Sequence, residues 1–141
     1  MRCAAVAVEG KPRLLAVMEL GGCADLVPAA QAAGFEVTPC PTMRKALNLL
    51  GKVKPDVVAA EFLYGPVYGS RISNFETLMA GMQRHVPDAK LIALLERADA
   101  AHLDQLAERF AVFERVYLPA DRAVLVTKLA ETLRTARAPS D

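Results

Sequence analysis

Pro55-Asp56-Val57-Val58-Ala59-Ala60-Glu61 is the stretch on which the fold turns. A proline and an acid lead into four small or β-branched apolar residues, and a carboxylate closes the run. A strand with one wet face alternates apolar and polar side chains. A run apolar at every position instead suits a strand covered by helices on both faces, as in parallel sheets. Leu14-Leu15-Ala16-Val17-Met18 and Lys90-Leu91-Ile92-Ala93-Leu94-Leu95 share this character. The intervals between the three runs are long enough for the helical crossovers that parallel strands require.

Working outward, Gly21-Gly22 ends the first run, and Asp25 is placed to cap a helix over Leu26 to Ala33 that stops at Gly34. Phe35-Glu36-Val37-Thr38 alternates as an edge strand does. Thr42 opens a second helix through Ala46, Leu47 and Leu50, closing at Gly51. After Glu61 comes a loop rich in Gly, Pro and Tyr, from Phe62 to Ile72. Ser73-Asn74-Phe75-Glu76 has the S-x-x-E form of a capping box and predicts a helix to about His85. Asp99 is placed to cap the next helix, where Leu103, Leu106 and Phe110 recur at helical spacing. Arg115-Val116-Tyr117-Leu118 is a short last strand. Beyond Pro119, Leu125, Leu129 and Leu133 mark the apolar stripe of a final helix.

The order is β-α five times over. It predicts a three-layer α/β/α domain with a doubly wound, five-stranded parallel sheet in the flavodoxin-like order. Residues 1–12 read as an N-terminal extension, irregular or an extra strand. Residues 13–135 read as one domain, and residues 136–141 as a frayed tail.

Composition narrows the function. The chain has 141 residues, 53% of them hydrophobic, with 17 Lys and Arg against 16 Asp and Glu. With no basic excess there is no nucleic-acid footprint. No apolar run reaches the roughly 20 residues that span a bilayer. Cys3, Cys23 and Cys40 are an odd, widely spaced set without C-x-x-C, which argues against a disulfide framework or a structural zinc site. Reduced thiols in a cytoplasmic protein are the expectation.

The Pro55 to Glu61 stretch resembles the signature of response-regulator receiver domains, in which Pro-Asp opens the third strand and an acceptor Asp ends it. Glu61 stands at the acceptor position, Gly69 at the usual loop glycine, and Pro66 one place off the usual loop proline. The likeness covers about residues 13 to 135. It implies a pocket that has lost its chemistry. Receivers hold Mg²⁺ with acids at the end of the first strand, and those positions fall here at Met18 and Glu19. Carboxylate and water oxygens suit that ion; a thioether does not. The family's hydroxyl residue ending the fourth strand falls at Leu95, with Glu96 next, and its lysine ending the fifth falls at Leu118. Pro119 matches the family's proline, often preceded by a cis bond. The resemblance therefore implies no phosphotransfer, since that catalysis is mostly positioning and electrostatics. Glu61, one methylene longer than Asp, is a candidate mimic of a phosphorylated side chain.

Other features have a sharp and a plain reading. Glu19, Glu61 and Glu96 form either a residual cation or acid/base cluster at the strand ends or, as favoured, solvated acids left behind. Cys23 after Gly21-Gly22 is either a thiolate at a helix start or, as favoured, an inert thiol. Gly21-Gly22 lacks the spacing of a phosphate-binding loop and reads as a plain turn. Neither His85 nor His102 is expected to bind metal. Phe62, Tyr64 and Tyr68 are either a contact site or rings folded over the vacated pocket. By resemblance, the face from about Ala101 to Thr135 is where receivers meet partners. Arg109, Arg115, Tyr117 and Arg122 are its candidate interface residues, and Arg115 stands where the family has an aromatic switch.

The leading expectation is a non-phosphorylatable pseudo-receiver, acting through a protein partner or by dimerising in bacterial signalling, without catalysis, cofactor or metal. The alternative is a small-ligand sensor using the strand-end crevice of Met18, Glu19, Glu61 and the aromatic loop. A cryptic enzyme ranks last.

Overall fold

In the computed structural model, which describes residues 11–19, 23–62 and 74–136, the Val57 stretch is the central strand. The strands are β1 (Arg13–Val17), β2 (Glu36–Cys40), β3 (Val57–Glu61), β4 (Lys90–Glu96) and β5 (Glu114–Leu118). The helices are α1 (Leu26–Ala33), α2 (Met43–Val53), α3 (Phe75–His85), α4 (Ala100–Ala107) and α5 (Arg122–Ala136). All strand pairs are parallel, in the order β2-β1-β3-β4-β5, the doubly wound arrangement expected. Strand β3 lies between β1 and β4, and all five of its residues are buried.

Alternation along the strands divides the core in two. Leu14, Ala16, Val57, Ala59, Ile92 and Leu94 pack with Leu26, Ala29 and Ala30 of α1 and Leu125 and Leu129 of α5. Leu15, Val17, Val58, Ala60, Leu91, Ala93 and Leu95 face the other way, onto Ala46 and Leu50 of α2, Leu78, Met79 and Met82 of α3, and Leu103 and Leu106 of α4. Each large aliphatic side chain fully buried this way contributes about 1.5–3 kcal/mol over leaving it exposed. Both faces are apolar because both are covered. Strand β2 is an edge and accommodates Pro39, whose missing N–H would break a central ladder.

Local signals held unevenly. Gly34 ends α1 at φ 113°, and the Thr42 side chain accepts from Lys45 N, as expected. Helix α2 does not close at Gly51; it runs to Val53, and Lys54 ends it in the left-handed region at φ 55°. Asp25 makes no side-chain cap and pairs with Arg122 at 2.7 Å instead. Asp99 makes no side-chain cap either, because a 3₁₀ turn over Arg97–Asp99 leads into α4. The capping-box register also shifts: α3 starts at Phe75, so Asn74 takes the cap position, and its side chain is turned elsewhere. Phe110 lies past the end of α4, half-buried against the core. In α5, Thr132 is fully buried beside the Leu stripe, its hydroxyl donating to Lys128 O at 2.9 Å. No helix among the described residues is long and apolar enough to cross a membrane.

The expectations for residues 1–10, Gly21-Gly22, the loop with Tyr64, Pro66, Tyr68 and Gly69, and the tail past 136 lie outside the described residues.

Candidate functional site at the carboxyl end of the sheet

Strand register sets the site. Val17 pairs with Ala60, Glu61 with Leu94, Leu95 with Tyr117 and Glu96 with Leu118. Met18, Glu19, Glu61, Leu95 and Leu118 thus come to one edge of the sheet, where ligands bind in open α/β folds. The Leu118–Pro119 bond is cis.

The side chains there are built into the molecule. Met18 and Leu118 are half-buried and pack on the α1–α5 side of the core. Leu95 is 1% exposed and faces the opposite side, among the α2, α3 and α4 residues. The positions where the resemblance places a metal ligand, a hydroxyl and a lysine are therefore occupied by side chains that serve the two cores.

The three acids do not form a trio, and only Glu96 is the solvated acid expected. Glu61 is 4% exposed, whereas Glu96 is exposed. Glu19 Oε2 accepts from Met43 N at 3.2 Å, placing a carboxylate at the N-terminus of α2, where the helix dipole favours it. Glu19 Oε1 accepts from Asn74 Nδ2, also at 3.2 Å, and the same nitrogen donates to Glu61 O at 2.8 Å. Asn74 is buried. It was present in the quoted Ser73 to Glu76 motif, but helix-capping signals concern Ser73 and Glu76. Nothing local marks an amide that reaches two other strand ends.

These residues do not fit the Mg²⁺ that the receiver resemblance implies. One ligand position is a thioether, and both oxygens of Glu19 already accept from protein donors. Among the described residues, no group of three or more His, Cys, Asp or Glu is placed to hold a metal ion.

Cys23 and Cys40 are buried free thiols. Burial pushes the Cys23 thiol pKa up, opposed by backbone hydrogen bonds of Asp25 and Leu26 and reinforced by the carboxylates of Asp25 and Glu61. A helix-start thiolate is the opposite of what this environment favours.

Phe62 is not a surface contact. It is 2% exposed, its ring edge-on to Phe75 with centroids 5.2 Å apart, because the residue after β3 points into the α2–α4 side of the core. The four interface candidates divide. Arg115 reaches Asp104 at 2.6 Å, Arg97 stacks over the half-buried Tyr117 ring at 4.5 Å, and exposed Arg109 lies 3.9 Å from Glu76. Arg122, paired with Asp25, belongs instead to the α1–α5 side. For Arg115, burial opposes the charge, but bonds to Asp104 and Tyr117 outweigh it and hold the guanidinium protonated.

No family model matches this chain, and neither does any curated protein. Solved structures do. A chemotaxis protein CheY4 from Vibrio cholerae is 21% identical, with a TM-score of 0.69, over 86% of this chain and 98% of that one. A two component transcriptional regulator AraC from Clostridium phytofermentans is 19% identical, at 0.71, over 89% and 95%. A CheY-like response regulator receiver domain protein from Methanospirillum hungatei is 17% identical, at 0.70, over 89% and 95%. The fold is that of response-regulator receiver domains, across nearly the whole length of each.

Proposed function

We propose that residues 13–135, with the receiver fold, form a phosphorylation-silent domain that acts by binding a protein partner or a second copy of itself in bacterial signalling. The supporting observation is the core role of Leu95 and Leu118. A phosphoryl group carries charge that must be met by a hydroxyl, a cation and a metal ion. Leu95 offers apolar contact at 1% exposure, and Leu118 packs against the α1–α5 core. Glu61 keeps a carboxylate at the acceptor position, but buried and beside a donor network already closed.

In this reading the domain is held in one state, and its output is the surface it presents. The α4–β5 flank, with Arg115 on Asp104 and Arg97 over Tyr117, is the charged face such contacts would use.

Incubation with acetyl phosphate and Mg²⁺, followed by intact-mass analysis, tests the proposal. An unchanged mass is expected. A stable gain of one phosphoryl group that disappears in Glu61→Gln would overturn it. Sedimentation of the purified chain then separates self-association from dependence on another protein.

A further inference from the structure

Two oxygen acceptors from different strand ends converge on one nitrogen. Asn74 Nδ2 lies 2.8 Å from the Glu61 carbonyl oxygen and 3.2 Å from Glu19 Oε1, and Asn74 is only 6% exposed. A carboxylate and a carbonyl turned toward one buried point are the oxygens a hard cation takes. Here an amide NH₂ holds that point, and its two hydrogens match the two acceptors.

We propose that Asn74 is a built-in replacement for a divalent cation at this pocket. Its amide ties Glu19, just after β1, to the end of β3 and the start of α3. The second oxygen of Glu19 carries the tie to Met43 N at the start of α2. The tie is made of hydrogen bonds, but the amide that makes them is part of the chain, so neither dilution nor a chelator removes it. For an ion to enter, it must first displace the amide from both oxygens. Asn74 is thus a positioning residue, and it closes the pocket to metal.

The chemistry predicts what one atom does. In Asn74→Asp an oxygen replaces the nitrogen, the two donated hydrogens vanish, and oxygens face oxygens. Like charges at close range disfavour that arrangement until a cation joins them. The inference rests on the reading of this pocket as chemically silent, yet the two can fail separately. Phosphoryl uptake by a wild type that binds no ion would sink the function and leave the amide's role intact. Ion binding without phosphoryl uptake would do the reverse.

The test is titration of the full chain with Mn²⁺, following loss of the free-ion electron paramagnetic resonance signal, with melting curves alongside. The wild type is expected to show no saturable site and no Mn²⁺-dependent rise in melting temperature. Asn74→Asp is expected to gain one site, at least about tenfold tighter than any wild-type binding, with a melting temperature that rises on adding Mn²⁺. Glu19→Gln in that background should abolish both. Should Asn74→Asp fail to fold, Asn74→Ser, which vacates the same point, is held to the same outcomes. A wild-type site lost in Glu19→Gln would overturn the proposal. So would a folded variant that gains none.

Discussion

Glu19 and Asn74 stand 55 residues apart and meet at 3.2 Å, the Asn74 amide donating to the Glu19 carboxylate. This contact and the bond from the same nitrogen to Glu61 O join the segment after β1, the end of β3 and the start of α3 at the carboxyl end of the sheet. Removing a donor that serves one buried and one part-buried acceptor leaves both without it, at about 1–3 kcal/mol for a group fully desolvated and less for the other. Asn74→Ala is therefore expected to destabilise the fold by about 2 kcal/mol in chemical denaturation. Glu19→Gln, which keeps one acceptor oxygen, should cost less. Equal losses would mean that the amide does not bridge the two.

Placing at Leu95 the hydroxyl residue that the receiver resemblance expects there should harm the protein before it helps any chemistry. Leu95 is 1% exposed among α2–α4 core residues. Leu95→Thr removes aliphatic contact and brings a hydroxyl into apolar surroundings, at about 2–4 kcal/mol. A lowered denaturation midpoint, with no gain of phosphoryl mass from acetyl phosphate, is the expected result. A neutral Leu95→Thr would show that this position is not part of the core.

Cys23 gives a pH dependence whose sign follows from burial. Its thiol pKa is raised above the usual 9.0, so the folded protein holds the proton more tightly than the unfolded chain does. The contribution to stability is complete below the unfolded value and is lost as pH rises through the folded one. Denaturation curves from neutral pH to above 9.0 should therefore show an alkaline decline that is shallower in Cys23→Ala. At neutral pH the native thiol should also react with iodoacetamide far more slowly than it does in urea.

Much of this was legible in the residues. The apolar runs at Leu14, Val57 and Leu91 gave the buried strands because covered strands need no polar face. Met18, Leu95 and Leu118 could be placed at the strand ends from the same strands. What was not legible depended on contacts between distant segments. Asn74 bonds to Glu19 and Glu61, and Asp25 to Arg122, and no local pattern encodes a partner 55 or 97 residues away. The Gly-, Pro- and Tyr-rich loop leaves Phe62 open between a contact site and a ring over the pocket, yet the pleat carries it into the core beside Phe75. Gly51 looked like a stop because glycine weakens helices, but α3 packs over it and the helix continues.

Two helical glycines should respond to alanine in opposite directions. A Cβ at Gly51 would sit 3.5 Å from His85 Nδ1, an ordinary contact, so Gly51→Ala keeps the helix-propensity gain of about 1 kcal/mol. A Cβ at Gly81 would fall 2.9 Å from Leu47 Cδ2 and 3.1 Å from Leu50 Cδ1. Leu50 is fully buried and has little room to give, so the α2–α3 contact becomes overpacked, at about 1–3 kcal/mol. Gly51→Ala is expected to raise the melting temperature and Gly81→Ala to lower it. If both raised it, the α2–α3 contact would be looser than this packing implies, with Leu47 and Leu50 free to move aside.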